Sequence, residues 1–202
     1  GVGEVATMNL PQAHWAWSEE ASKHVYHDPE EARRLLEEAG YGDGLELDFR
    51  GYPDQASVQR QEVLMAQWKK IGVTGRFRNA PIAEVAGAFF GEEKAGDLLL
   101  SAWTGRPDPS LTYALLYSEE SYYNPGRVTP PEGYMEALQA SRESTDQADR
   151  AAALARVQDI AMEAHLSIPL SIRYEVDATG EAVTDFVANL LGKPKFRDVK
   201  LG

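Results

Sequence analysis

Apolar residues recur at three- and four-residue spacing over several long stretches of this chain, and alternate or run together over shorter ones between them. The first helical stretch opens at Asp28, a good N-cap, with Pro29 at the first helical position and Glu31 where a capping-box partner stands. Ala32, Leu35, Leu36 and Ala39 share one face, Glu30 is spaced to pair with Arg34, and Gly40 is the expected stop. Leu45, Leu47 and Phe49 then alternate with polar neighbours, the period of a strand. A second helix is predicted from about Gln55 to Lys70, burying Val58, Leu64, Met65, Trp68 and Ile71 and ending at Gly72. Val73 to Phe77 reads as a strand and Pro81 to Phe90 as a helix, and Gly91 to Gly96 turns toward Leu98-Leu99-Leu100. That unbroken apolar run predicts an interior strand, buried on both faces.

Helix and strand alternate three times over this region, the order of parallel pairing through right-handed crossovers. The predicted fold class is therefore α/β, a mixed, mostly parallel sheet with helices on both faces. Beyond Pro109, residues 110–118 form a short helix carrying Leu111, Ala114 and Leu115. Pro130-Pro131 opens another, with Tyr134, Ala137, Leu138 and Ser141 on one side. Asp146 caps the next, whose inner face is Leu154, Val157, Ile160, Ala161 and Ala164. A short link makes these two an antiparallel pair. Ser167 to Arg173 reads as a strand, with Pro169 near its start. The chain thus divides into an irregular arm over 1–27, an α/β lobe over 28–174 and an extended segment over 175–202. Phe186, Leu190, Leu191, Phe196, Val199 and Leu201 give that last segment enough apolar surface to pack against something.

Composition narrows the functions. At 43% apolar and 26% charged residues the chain is an ordinary globular sequence, and no stretch approaches the ~18 consecutive apolar residues of a membrane span. It opens Gly1-Val2-Gly3 with no apolar leader, the beginning expected of a mature or excised fragment. With no cysteine there is no disulfide, thiolate metal site or thiol nucleophile. A net charge of −12, with basic residues scattered, argues against nucleic-acid binding.

Candidate chemistry gathers after the Leu98–Leu100 run, in Trp103-Thr104-Gly105-Arg106-Pro107-Asp108-Pro109. Loops at the carboxyl ends of strands in open α/β sheets are where ligands sit. Trp103 offers a flat apolar face, and Arg106 a fork of donors matched to a carboxylate or phosphate. The competing description makes Trp103 a core residue and Arg106 a solvated loop charge. The loop Ser121-Tyr122-Tyr123-Asn124-Pro125-Gly126-Arg127 is a second candidate for binding. Asp97 and Asp108 are the best acid/base pair on offer for a hydrolase. His14, His24 and His27 with Asp28 invite a metal reading, but packing and capping explain them better, and no metal or cofactor is expected. Phosphate-binding glycine loops, the zinc-protease helix and the nucleophile elbow are all missing.

Five segments in series resemble one family. They are YHDPEEARRLLEEAGYGDG at 26–44, QRQEVLMAQWKKIGV at 59–73, GDLLLSAWTGRPDP at 96–109, STDQADRAAALARVQDIAMEAHLSIPL at 144–170 and GKPKFRDVKL at 192–201. Together they are similar to the extracytoplasmic solute-binding proteins of family 5, the oligopeptide/dipeptide/nickel class that serves ABC importers. The resemblance implies a periplasmic-binding-protein-like lobe of type II, one half of a clamshell whose N-terminal lobe lies outside this chain. It implies a peptide or other small organic ligand, an ABC permease as partner, and an extracytoplasmic place of work, periplasmic or lipid-anchored at the cell surface. Ligand-facing positions map onto Trp103, Thr104, Gly105, Arg106 and Asp108, and, on the asparagine loop, onto Tyr123 and Asn124. Peptide binders of the family often carry an aspartate three residues after the tryptophan, paired with the peptide ammonium; here Arg106 stands in that place. Two alternatives remain open at this point, a hydrolase using Asp97 and Asp108 and a sensory or scaffold module on the same fold.

Overall fold

A computed structural model describes residues 3–124, 129–188 and 195–202. In chain order its elements begin with β1 (Gly3–Val5), α1 (Glu19–Ser22), α2 (Pro29–Glu38), β2 (Leu45–Gly51) and α3 (Gln55–Trp68). Then come β3 (Val73–Asn79), α4 (Ile82–Phe90), β4 (Leu98–Leu99), α5 (Pro109–Tyr117), α6 (Tyr134–Glu143) and α7 (Gln147–Glu163). Three short strands finish the chain, β5 (Ser171–Arg173), β6 (Val183–Thr184) and β7 (Lys200–Leu201). The backbone gathers into two compact units. One holds Gly1–Val25, Trp103–Ser118 and Thr129–Gly202, the other Tyr26–Ala102 and Glu119–Val128, as far as their residues are described. Sequence order cannot reveal this, because the division follows contacts between distant segments.

The Tyr26–Ala102 unit is built on a parallel sheet in the order β3-β2-β4. Leu45 to Gly51 pair in register with Val73 to Asn79. Phe49 is buried on one face, its ring 5.0 Å from Phe77 and 5.3 Å from Trp68 of α3. A Cβ at Gly75 would lie 2.1 Å from the Leu47 carbonyl oxygen and 2.4 Å from the Phe49 ring, so glycine is what lets β3 close on β2 there. The other face carries Glu46, Asp48, Arg50, Thr74, Arg76 and Arg78. Val85 and Ala88 of α4 share a small cavity there with Arg50 and Arg78.

β4 departs from expectation. It pairs only with β2 through Phe49↔Leu98 and Arg50↔Leu99, making β4 the edge and β2 the middle of the sheet, and both its leucines are half-buried. The asparagine-free run of three leucines is a local feature; which strand sits centrally is decided by two distant pairings. The chain continues the ladder on either side, Asp97 N–H donating to the Asp48 carbonyl (2.7 Å) and Leu100 N–H to that of Arg50 (2.9 Å).

Asp28 caps α2 by accepting from Glu30 and Glu31 N–H, at 3.1 and 2.9 Å, and Gly40 leaves the helix at φ +86°. Two smaller expectations fail. Arg34 pairs with Glu31 (2.6 Å) and Glu38 instead of Glu30, and Glu31, so occupied, does not close a capping box. The apolar face of α2 buries no residue, with Leu35 49% exposed; the helix packs on the 3₁₀ turn Lys69–Ile71.

The other unit holds the larger core. Met8, Leu10, Ala16 and Ala21 from the N-terminal arm meet Tyr113 and Tyr117 of α5, Tyr134 and Leu138 of α6, and Leu154, Val157, Ile160, Ala161 and Met162 of α7. Burying one large aliphatic side chain of this kind contributes about 1.5–3 kcal/mol. The arm is thus part of the core, and is tied by the buried Gln158 Nε2, which donates to Ala16 O (2.6 Å) and Leu154 O (2.8 Å). On α5 the two tyrosines are fully buried and Ala114 packs against the same core, whereas Leu111 is 44% exposed and Leu115 half-buried. β1 pairs antiparallel with β5, a strand of three residues where seven were expected. β6 and β7 form a small ribbon closed by Lys200 and Asp185 (2.7 Å) and a Phe186–Phe196 ring contact at 6.2 Å. Phe196 and Leu201 are exposed within their own unit, and Leu190 and Leu191 lie outside the described residues.

Candidate functional site

The loop Trp103–Asp108 runs into α5. Three anchors fix it. Arg106 N–H donates to the hydroxyl of the fully buried Thr112 (2.9 Å), one turn into α5. Arg106 Nη1 donates to the Thr104 carbonyl (2.8 Å). Asp108 accepts from Ser110 N–H (2.9 Å) as the N-cap of α5, with Pro109 at the first helical position.

The side chains of Trp103 and Arg106 come together. The guanidinium carbon lies 5.2 Å from the indole centroid, within cation–π range, and both residues are half-buried. Trp103 is therefore neither walled into the core nor loose in solvent. Thr104 is exposed and Gly105 half-buried, while the indole nitrogen of Trp103 is itself buried.

Asp108 plays another part. Its Oδ1 also accepts from Arg150 Nη2 (2.8 Å), and Arg150 reaches on to the Ser110 hydroxyl (3.2 Å) and, through Nε, to the Ser141 carbonyl (2.9 Å). Arg150 in turn stacks on Trp15 at 5.6 Å. Trp15, Asp108 and Arg150, with Pro107, Pro109, Thr145 and Gln147, line an open groove of about 480 Å³. The sequence reading missed Trp15 and Arg150 as a pair. One signal was available: Arg150 sits in the first turn of α7, where the helix dipole disfavours a cation, so its partner had to lie elsewhere.

Both carboxylates of the candidate hydrolase pair make structural hydrogen bonds. Asp97 accepts the Asp48 N–H (2.7 Å), a strand-edge role, and Asp108 is a cap paired with an arginine. Tyr123 and Asn124 belong to the Glu119–Val128 stretch and so to the other unit from Trp103–Asp108. Tyr123 packs its ring on Phe90 (5.5 Å) and Tyr122 (5.1 Å), and Asn124 is only 6% exposed. Pro125, Gly126 and Arg127 lie outside the described residues. His24 bonds Asp159 (2.9 Å), and among the described residues no three His, Cys, Asp or Glu side chains gather as a metal ion needs.

Of the three buried phenols the sequence placed only Tyr134 on a helix face; Tyr113 and Tyr117 it did not announce. Burial pushes the Tyr113 hydroxyl well above its usual range and raises Tyr117 and Tyr134 as well. Tyr117 is hydrogen-bonded to Asn9 (2.9 Å) and Ser167 (2.6 Å), and Tyr134 donates to the Tyr113 carbonyl (2.9 Å). Among the described residues the Tyr113 hydroxyl has no such partner.

A family model described as "Bacterial extracellular solute-binding proteins, family 5 Middle" matches residues 1–124. Di/tripeptide-binding protein 1 of Pseudomonas aeruginosa is 26% identical over 211 residues, which cover all of this chain and 38% of that protein. A dipeptide-binding protein of the same species is 30% identical over 172 residues, 81% of this chain and 31% of its own length. Among solved structures, a dipeptide-binding protein from Pseudoalteromonas in complex with Met-Leu superimposes with a TM-score of 0.80 at 20% identity, over the whole chain and 41% of that structure. HbpA2 from Haemophilus parasuis gives 0.76 at 25% identity, also over the whole chain and 41% of that structure. The chain thus spans about two-fifths of the relatives it matches.

Proposed function

Because the chain belongs to the bacterial extracellular solute-binding proteins of family 5, we propose that it is one lobe of a binding protein that captures a small organic solute outside the cytoplasmic membrane and hands it to an ABC permease. The remaining lobe would come from the part of the protein that the chain does not span. A ligand favours closure of two lobes when only the closed state lets it touch both, which needs no chemical step. Peptide-sized solutes fit the names of the relatives, and the protein works either free or lipid-anchored.

The observation that carries this reading is the Trp103–Arg106 stack on an anchored loop: an aromatic face and a donor fork held in one orientation by backbone hydrogen bonds. Such a surface recognises and does not react. The test is native mass spectrometry of the full-length protein as purified. A bound small solute is expected, with a Trp103→Ala variant carrying at least ~10-fold less; for scale, tenfold corresponds to about 1.4 kcal/mol. A full-length protein that holds no solute from cell extract or from a broad peptide and sugar panel overturns the reading.

A further inference from the structure

We infer that Arg106 makes this face selective for a carboxylate on the solute and against an ammonium, an inference that rests on the solute-capture reading above. The residue is half-buried, stacked on Trp103, and held by hydrogen bonds at its own amide and at Nη1. Those contacts leave Nε and Nη2 as the free edge of the fork, and among the described residues no carboxylate forms an ion pair with it. The nearest acid in sequence, Asp108, is committed to Arg150 and to the start of α5. Arg34, Arg50, Arg78, Arg150 and Arg156 are each paired with an acid of their own unit.

The geometry suits an incoming anion for three reasons. A guanidinium offers two parallel N–H bonds to a carboxylate, which a point charge does not. Its rotamer freedom is already spent on the indole and the Thr104 carbonyl, so less is lost when a ligand arrives. A cationic group brought to the same place would meet a fixed like charge whose nearest acid in sequence, Asp108, is already paired with Arg150.

Calorimetry on the full-length protein separates the possibilities with three probes. N-acetyl-Met-Leu keeps a carboxylate and lacks an ammonium, Met-Leu amide has the reverse, and succinate is a carboxylate without a peptide. The acetylated peptide or succinate should bind at least ~10-fold better than the amide. Arg106→Ala should abolish that preference, Arg106→Lys should recover only part of it, and Arg106→Asp should turn it toward the amide. Equal or better binding of the amide, or no binding of either carboxylate probe, overturns the inference. A neutral or cationic solute found by native mass spectrometry would also overturn it while leaving solute capture intact; a protein that carries nothing removes both.

Discussion

Two tryptophan–arginine stacks occur in the same unit, and they do opposite things. At Trp15 the guanidinium of Arg150 spends its other donors on Asp108, Ser110 and Ser141, joining the starts of α5 and α7 to the end of α6. At Trp103 the guanidinium of Arg106 is held in place but keeps an open edge. The first is a brace, and the second keeps the donors that the proposed reading of a solute needs. An indole beside an arginine is therefore no site by itself; the tally of remaining donors decides which kind it is.

The sharpest way to break this contrast is Arg150→Ala. It strips three hydrogen bonds from a mostly buried guanidinium, one of them charge-paired, and should cost about 2–3 kcal/mol of stability in urea unfolding. A loss below about 0.5 kcal/mol would mean that the brace bears no strain. Asp108→Ala removes the other half of that pair and the cap of α5, with an expected loss of about 1–2 kcal/mol. A double-mutant cycle with Arg150→Ala should show coupling between the two positions.

How much of this could be read from the chain alone depends on the range of the interaction. Asp28 and Asp146 are caps in the structure as the sequence implied, because capping needs only a carboxylate two or three residues before its N–H donors, and the same local rule makes a cap of Asp108, which the sequence suggested only as a ligand-facing or acid/base residue. The alternation that gave a parallel α/β sheet is likewise a local record of the order of elements. What failed was non-local. Leu98–Leu99 went to the sheet edge because β2 found two partners, and α5 turned tyrosines inward because α6 and α7 offered them a buried face. Trp103 and Arg106, three residues apart, were visible as a pair. Trp15 and Arg150, from opposite ends of the chain, were not.

Acidity offers a finer separation of the two stacks. His14 stacks on Trp15 at 5.6 Å and accepts the Ala16 N–H, and partial burial lowers its pKa from the ordinary 6.5. A histidine whose folded-state pKa is depressed contributes stability above its unfolded value and loses it as the pH falls below about 6.5, since the unfolded chain then binds the proton more readily. Unfolding midpoints followed from pH 7 to 5 should fall, and His14→Gln should flatten that slope. Arg106→Ala should leave the slope as it is, because no histidine flanks Trp103 or Arg106 in the chain.

The carboxamide of Gln158 has a further consequence. By clasping the carbonyl of Ala16 to the interior of the longest helix, it makes the opening two dozen residues and that helix a single inheritance. A chimera that borrowed the opening stretch from another family member would have to borrow the facing helix along with it. Trimmed away, the same stretch would leave the interior aromatic and aliphatic residues open to water.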